Sequence, residues 1–352
     1  MLRYVKRDEI SNRKRISIRI IAVLLALLVF GIVIICMKEN PLSVYRTIFK
    51  GSFGSAYARR ETIKLAIPLC ITALGVAVAF KMQFWNIGAE GQIMMGALGA
   101  TLMALNFSSM TRPLLLLLMI VAGIIGGSLW ALVPAIFKAR WGTNETIITL
   151  MMNYLAIKFV TYLQYGPLKD PKAHNFAKIE NFSRNATLPE VFKIHIGWIF
   201  ALVLVAFIYV FMKYTKKGYE IAVLGESEKT ALYSGVNIKK TIIISILLSG
   251  GLCGLVGMIQ ASGVSGTLAY NVSGGVGYTA IIVAWLGGLS APIILIVSIL
   301  FAGLQQGGSL IQISYGISNS ASLVLQAMIL FFVLGSEFFI RYKIDRKAGD
   351  AK

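Results

Sequence analysis

Acidic side chains are scarce in this chain: 15 Asp and Glu stand against 34 Lys and Arg, and the four types together make up only 14% of its 352 residues. An ordinary soluble domain carries about 25% charged residues, so a water-facing globular surface is excluded. Histidine is scarcer still, with only His174 and His195, and there is no His-Glu-x-x-His helix to hold a catalytic zinc. The Gly-Lys dipeptide is absent, which removes the G-x-x-x-x-G-K-[ST] loop that cradles nucleotide phosphates. Cys36, Cys70 and Cys253 stand far apart inside apolar runs. They lack the spacing of a metal site and read as small core residues. No catalytic residue, metal ligand or cofactor is expected.

What remains is hydrophobicity, 57% of the chain, gathered into segments of the 17–25 residues or so that a bilayer crossing requires. Ten spans are predicted: 20–37, 62–80, 88–107, 113–137, 145–163, 197–213, 241–259, 272–289, 292–310 and 320–340. The expected fold class is therefore all-α, a polytopic membrane protein of about ten transmembrane helices. The net charge of +19 does not point to nucleic acid, because the basic residues flank the spans. They cluster at Arg3, Lys6, Arg7, Arg13, Lys14, Arg15 and Arg19, at Lys213, Lys216, Lys217, Lys229, Lys239 and Lys240, and at Arg341, Lys343, Arg346, Lys347 and Lys352. This is the pattern of cytoplasmic anchoring. It predicts a cytoplasmic N-terminus (1–19), a membrane domain (20–340), a cytoplasmic loop (214–240) and a cytoplasmic tail (341–352), with 38–61 and 164–196 outside. Residues 20–37 are too long for a signal core, and Lys38-Glu39-Asn40-Pro41 offers no small-residue cleavage site, so this segment reads as an uncleaved first helix.

Between the second and third spans runs Lys81-Met82-Gln83-Phe84-Trp85-Asn86-Ile87-Gly88-Ala89-Glu90-Gly91-Gln92. It reads either as a short turn between helices or as a broken helix lining a solute pathway, since non-helical backbone at membrane depth needs protein or water around it. Asn86-Ile87-Gly88-Ala89-Glu90 can be laid over Gly275-Val276-Gly277-Tyr278-Thr279, and the two copies enter the membrane in opposite directions in the topology above. Inverted repeats with matching glycine breaks mark transport sites, although closely packed glycine-rich helices give a similar pattern. Glu145 stands near a helix start, where the dipole favours a carboxylate. The loop Gly218 to Asn237 reads as a turn followed by a short helix from about Ser227 to Ser234, with Ser227 as its cap, Glu228 at its positive end and Gly235 as its stop.

Three stretches together resemble the permeases of ABC importers in the branched-chain amino acid and simple-sugar superfamily. They are Phe84-Trp85-Asn86-Ile87-Gly88-Ala89-Glu90-Gly91-Gln92, Gly142-Thr143-Asn144-Glu145-Thr146-Ile147 with Met152-Asn153-Tyr154, and the 218–236 loop. The chain is most similar to the nucleoside-uptake branch, which works with a BmpA-type solute-binding lipoprotein, over residues 20 to 340 or so. Ala222 and Thr230 depart from the family's arginine and alanine in that loop. The resemblance implies a bacterial plasma-membrane permease subunit that hydrolyses nothing itself. Its partners would be a separate ATPase, a second permease in a heterodimer, and the external binding lipoprotein. Phe84, Trp85, Asn86, Glu90, Gln92, Asn144 and Asn153 become candidates for the solute pathway; Gly218, Gly225, Ala231 and Gly235 become candidates for ATPase coupling. A simple sugar is the alternative cargo, and an ion-coupled secondary transporter is the alternative mechanism.

Overall fold

The computed structural model describes residues 2–6, 11–173, 176–318 and 320–346; Arg7, His174, Lys347 and Lys352 lie outside them. In chain order the elements are β1 (Leu2–Lys6), α1 (Asn12–Cys36), α2 (Pro41–Phe53), α3 (Ala56–Lys81), α4 (Ala89–Asn106), α5 (Arg112–Trp141) and α6 (Glu145–Tyr165). There follow β2 (Glu190–Val191), β3 (Ile194–His195), α7 (Gly197–Tyr214), α8 (Lys216–Glu226), α9 (Glu228–Tyr233), α10 (Ile238–Gln260), α11 (Val276–Leu286), α12 (Ala291–Tyr315), α13 (Ser320–Arg341) and β4 (Tyr342–Arg346). This is an all-helical polytopic membrane protein.

Among the described residues, eight helices are long and apolar enough to cross a membrane. The two remaining expected spans, 88–107 and 272–289, differ for physical reasons. Helix α4 opens on Ala89-Glu90-Gly91-Gln92 and is buried over most of its length, so protein rather than lipid surrounds its polar start. Helix α11 has 11 residues, about 16 Å of rise against a hydrocarbon core of about 30 Å. Turns make up the rest of that expected span. In the segment 38–61, read above only as an external connection, α2 begins at Pro41 with the Asn40 side chain accepting from Leu42 N at 2.9 Å.

Two compact units are present, one of Ile63–Ala302 and one of the described residues up to Thr62 together with those from Gly303 onward. In the second, α1 lies along α13, and β1 pairs antiparallel with β4, from Leu2 opposite Arg346 to Lys6 opposite Tyr342. The Ser52 hydroxyl bonds to the carbonyls of Ile48 and Gly303, and Thr62 Oγ1 donates to Ser52 O at 2.9 Å.

The unit Ile63–Ala302 is centred on α4, α5 and α10. A β-carbon on Gly127 would lie 2.6 Å from Gly254 Cα, and one on Gly99 would lie 2.6 Å from Ala122 O. Backbones this close need glycine, and small residues at helix contacts are the usual device in membranes, where packing rather than water drives association. The glycine-rich composition therefore does serve helix packing, but the glycines around Gly275 serve something else.

Candidate functional site

Helix α3 stops at Lys81, and residues 82–88 run on as extended or turning backbone before α4 begins. Burial alternates along them: Met82, Phe84, Asn86 and Gly88 are buried, whereas Gln83 and Trp85 are exposed. An extended segment turns successive side chains to opposite faces. Phe84 and Trp85, both candidates for the solute pathway, are thereby separated, with Phe84 at 2% exposure and Trp85 at 38%.

The polar residues of the motif satisfy one another. Asn86 Oδ1 accepts from Gly88 N at 3.0 Å and from Gln92 Nε2 at 3.1 Å; its Nδ2 donates to Gln92 Oε1 and Ser249 Oγ, both at 3.2 Å. Asn153, on α6, accepts from Gly91 N at 2.8 Å and donates to Ile87 O at 2.8 Å and Tyr278 Oη at 3.4 Å. Thr149 Oγ1 takes the Ile87 N–H at 3.2 Å. Asn86, Gln92 and Asn153 are fully buried, and each has the partners that a buried amide requires.

Glu90 crosses from one broken helix to the other. It sits in the first turn of α4, 4% exposed. Its Oε1 accepts from Ser273 Oγ at 2.6 Å and Gly275 N at 2.9 Å, and its Oε2 accepts from Gly277 N at 2.7 Å. These donors are the unpaired groups at the start of α11, where a carboxylate also meets the positive end of the helix dipole. A β-carbon on Gly277 would stand 2.6 Å from Glu90 Cα. The two segments matched as repeat copies thus meet start to start. From this junction α11 runs towards Trp285, which stacks on Trp85 with centroids 5.6 Å apart and planes 16° apart. Phe80 joins them at 5.1 Å from Trp85 and 6.0 Å from Trp285. Because Trp85 precedes α4, the two half-helices leave the junction in opposite directions.

The other candidates lie elsewhere. Asn144 is exposed and caps α6, accepting from Thr146 N at 3.0 Å and Ile147 N at 3.3 Å. Glu145 pairs with Lys138 Nζ at 2.8 Å. In the 214–240 loop, Ser227 caps α9 by accepting from Thr230 N at 3.3 Å, and Gly235 takes a left-handed φ of 73°. The stretch before Ser227, expected as a turn, is helix α8. Gly218 and Gly225 are therefore contact points rather than bends. Gly218 is packed against the carbonyls of Phe211 and Met212, and Gly225 against that of Lys81. Gln83, at φ 58°, donates from Nε2 to Gly225 O at 2.5 Å. Ala231 is buried. Glu220 is buried against Lys217 and Thr241 Oγ1; the Lys217 ammonium holds its carboxyl below the ordinary range. The loop is thus fastened to α3 immediately before the broken segment.

Sequence reasoning missed Ser273, Gly275, Gly277, Tyr278, Trp285 and the role of Gln83. The repeat overlay, which pairs Gly88 with Gly277, was the signal that could have found Gly275, Gly277 and Tyr278; Ser273 lies outside it.

Residues 60–334 match the family model described as the branched-chain amino acid transport system permease component. The chain is 32% identical to the glucose ABC transporter permease of Haloferax volcanii, over 94% of this chain and 91% of that one. It is 31% identical to the guanosine ABC transporter permease of Bacillus subtilis, over 95% and 97% of the two chains. With the nucleoside ABC transporter permease of Lactococcus lactis subsp. cremoris it shares 30% identity, over 92% of each.

Proposed function

We infer, for a chain that belongs to the family of branched-chain amino acid transport system permease components, that nucleosides are its cargo. It is a permease component of an ABC importer, a system that also requires an ATPase and a solute-binding protein. The finer reading is that a second, different permease completes the pathway, that both chain ends are cytoplasmic, and that the partner subunit alone hydrolyses ATP.

The observation that carries the pathway reading is the Glu90 junction, where two half-helices of opposite direction meet start to start. Broken helices of this kind place backbone and polar groups at membrane depth, where a transported solute is held. Asn86, Gln92 and Asn153 bond the junction together, Tyr278 presents aromatic surface beside it, and the stacked Trp85 and Trp285 lie towards the other end of α11. An aromatic face suits a planar nucleobase, whose stacking is worth about 1–3 kcal/mol in other proteins. The near full-length similarity to the guanosine and nucleoside permeases supports the same cargo.

Ion coupling is the weaker reading. It needs carboxylates available to a cation, whereas Glu90 is occupied by three hydrogen-bond donors and Glu145 by Lys138. A sugar cargo has the glucose permease in its favour. The test is uptake of labelled guanosine by the assembled transporter with unlabelled nucleosides and hexoses as competitors. Competition by nucleosides alone supports the proposal; competition by glucose alone contradicts it.

A further inference from the structure

A cavity of about 390 Å³ lies at the ends of three spans. Its floor is apolar, built from Leu74 and Val78 of α3, Ile208 and Met212 of α7 and Ile294 of α12. Its mouth is polar and basic, formed by Lys81, Lys213 and Ser290. These mouth residues stand at the C-terminal ends of α3 and α7 and at the start of α12, so the charges gather at one membrane face and the apolar floor lies deeper. Leu74 is seven residues below Lys81, about 10 Å along a helix. Among the described residues no Asp or Glu lines the cavity, so both lysines face it without a neutralising carboxylate.

Lys213 is held at the mouth rather than left free. Its Nζ donates to Tyr209 Oη at 3.1 Å and lies 5.4 Å and 5.3 Å from the ring centroids of Tyr209 and Tyr214. An ammonium has three donors; Tyr209 and Tyr214 engage two of them, and one remains for a ligand. Ala222 of α8 also borders the cavity, three residues before the Gly225 contact with α3.

We propose that this cavity binds one anionic phospholipid, with its phosphate between Lys81 and Lys213 and the start of an acyl chain along Leu74, Val78 and Ile294. The gradient from two cations to an apolar floor over about 10 Å matches a headgroup above its glycerol and first methylenes. A water-soluble anion would use the lysines and leave that floor empty. Seated there, the lipid touches α8 at Ala222, so the membrane's anionic content bears on the helix that carries the coupling candidates Gly218 and Gly225.

The test uses the assembled transporter carrying the full chain. Phosphatidylglycerol retained through detergent exchange is counted by native mass spectrometry, with phosphatidylcholine as the neutral comparison. Wild type retains phosphatidylglycerol selectively. Lys81→Gln and Lys213→Gln each weaken retention about five-fold and together about thirty-fold, while Lys172→Gln, in the 164–196 segment, leaves it unchanged. Excess inorganic phosphate does not displace the lipid. In wild type, a photoreactive phosphatidylglycerol labels peptides containing Leu74–Lys81 and Ile208–Lys213. Undiminished retention in the double variant, labelling confined to other peptides, or displacement by phosphate alone would each overturn the proposal, the last by assigning the site to a free anion.

Discussion

The Gln83 side-chain amide donates to the Gly225 carbonyl at 2.5 Å, across 142 positions of sequence, beside a Lys81 carbonyl so close to Gly225 that no β-carbon fits between them. Helix α8 is thereby fixed to the backbone that leads, within ten residues, to Glu90 and the start of α11. If a partner ATPase moves α8, this joint is where the movement would pass to the broken segment.

Gly225→Ala should therefore leave the chain folded and inserted but separate the loop from α3. Overpacking of this kind costs about 1–3 kcal/mol, so uptake should fall roughly ten-fold or more. Gln83→Leu, which removes one hydrogen bond and no packing, should have the smaller effect of a few-fold. The measurement is solute moved per ATP hydrolysed. An unchanged ratio in Gly225→Ala would remove the joint from the transmission path.

Glu90 is expected to tolerate no replacement that lacks acceptors. Glu90→Leu leaves the Ser273 hydroxyl and the Gly275 and Gly277 amides without a partner, at about 1–3 kcal/mol each. Glu90→Gln retains one acceptor oxygen and sets an amide donor against one of those groups, for an intermediate loss. Thermal unfolding in detergent should rank wild type above Gln above Leu, with uptake lost in the same order. Equal stability of the Leu variant would show that the bonds do not hold the junction.

Gly277→Ala tests the same junction from the other side. Its new methyl would meet the Glu90 backbone, which has no rotamer by which to move away, so α11 must shift relative to α4. The expected result is lost uptake with normal membrane insertion; full uptake would place the start of α11 outside the pathway.

The spans and the fold class were legible in the sequence because apolar blocks of bilayer length, repeated along a chain this poor in charge, are stable only where lipid surrounds them. The two segments that depart from that reading are the two that carry glycine and polar groups where their helices start, 88–107 and 272–289. The α9 cap and its glycine stop were legible for local reasons, since Ser227 and Gly235 act on their own neighbours. Gly225 was not, because a bend and a close approach both call for glycine and only the fold brings Lys81 opposite. Glu90 could be singled out as a costly buried charge, but its donors lie about 185 residues away, beyond any local pattern.

His195 offers a test through pH. It is buried in β3, and neither ring nitrogen has a hydrogen-bond partner among the described residues. Burial, with the Lys64 charge as the lesser cause, lowers its pKa from 6.5 to about 4. An unfolded chain takes up a proton below about pH 6.5 that the folded chain refuses. Stability is therefore retained above that pH and is lost progressively as the pH falls from about 6.5 towards 4, by an amount on the order of 3 kcal/mol. His195→Phe should flatten this part of the stability profile. A variant that loses stability over the same range as wild type would assign the acid sensitivity to other groups.

The most direct test of the account is guanosine flux into proteoliposomes, with the chain present either alone or together with its ATPase, second permease and binding protein. The account predicts flux from the full assembly that requires ATP and binding protein, and none from the chain alone under a proton or sodium gradient. Gradient-driven flux through the chain alone would contradict it.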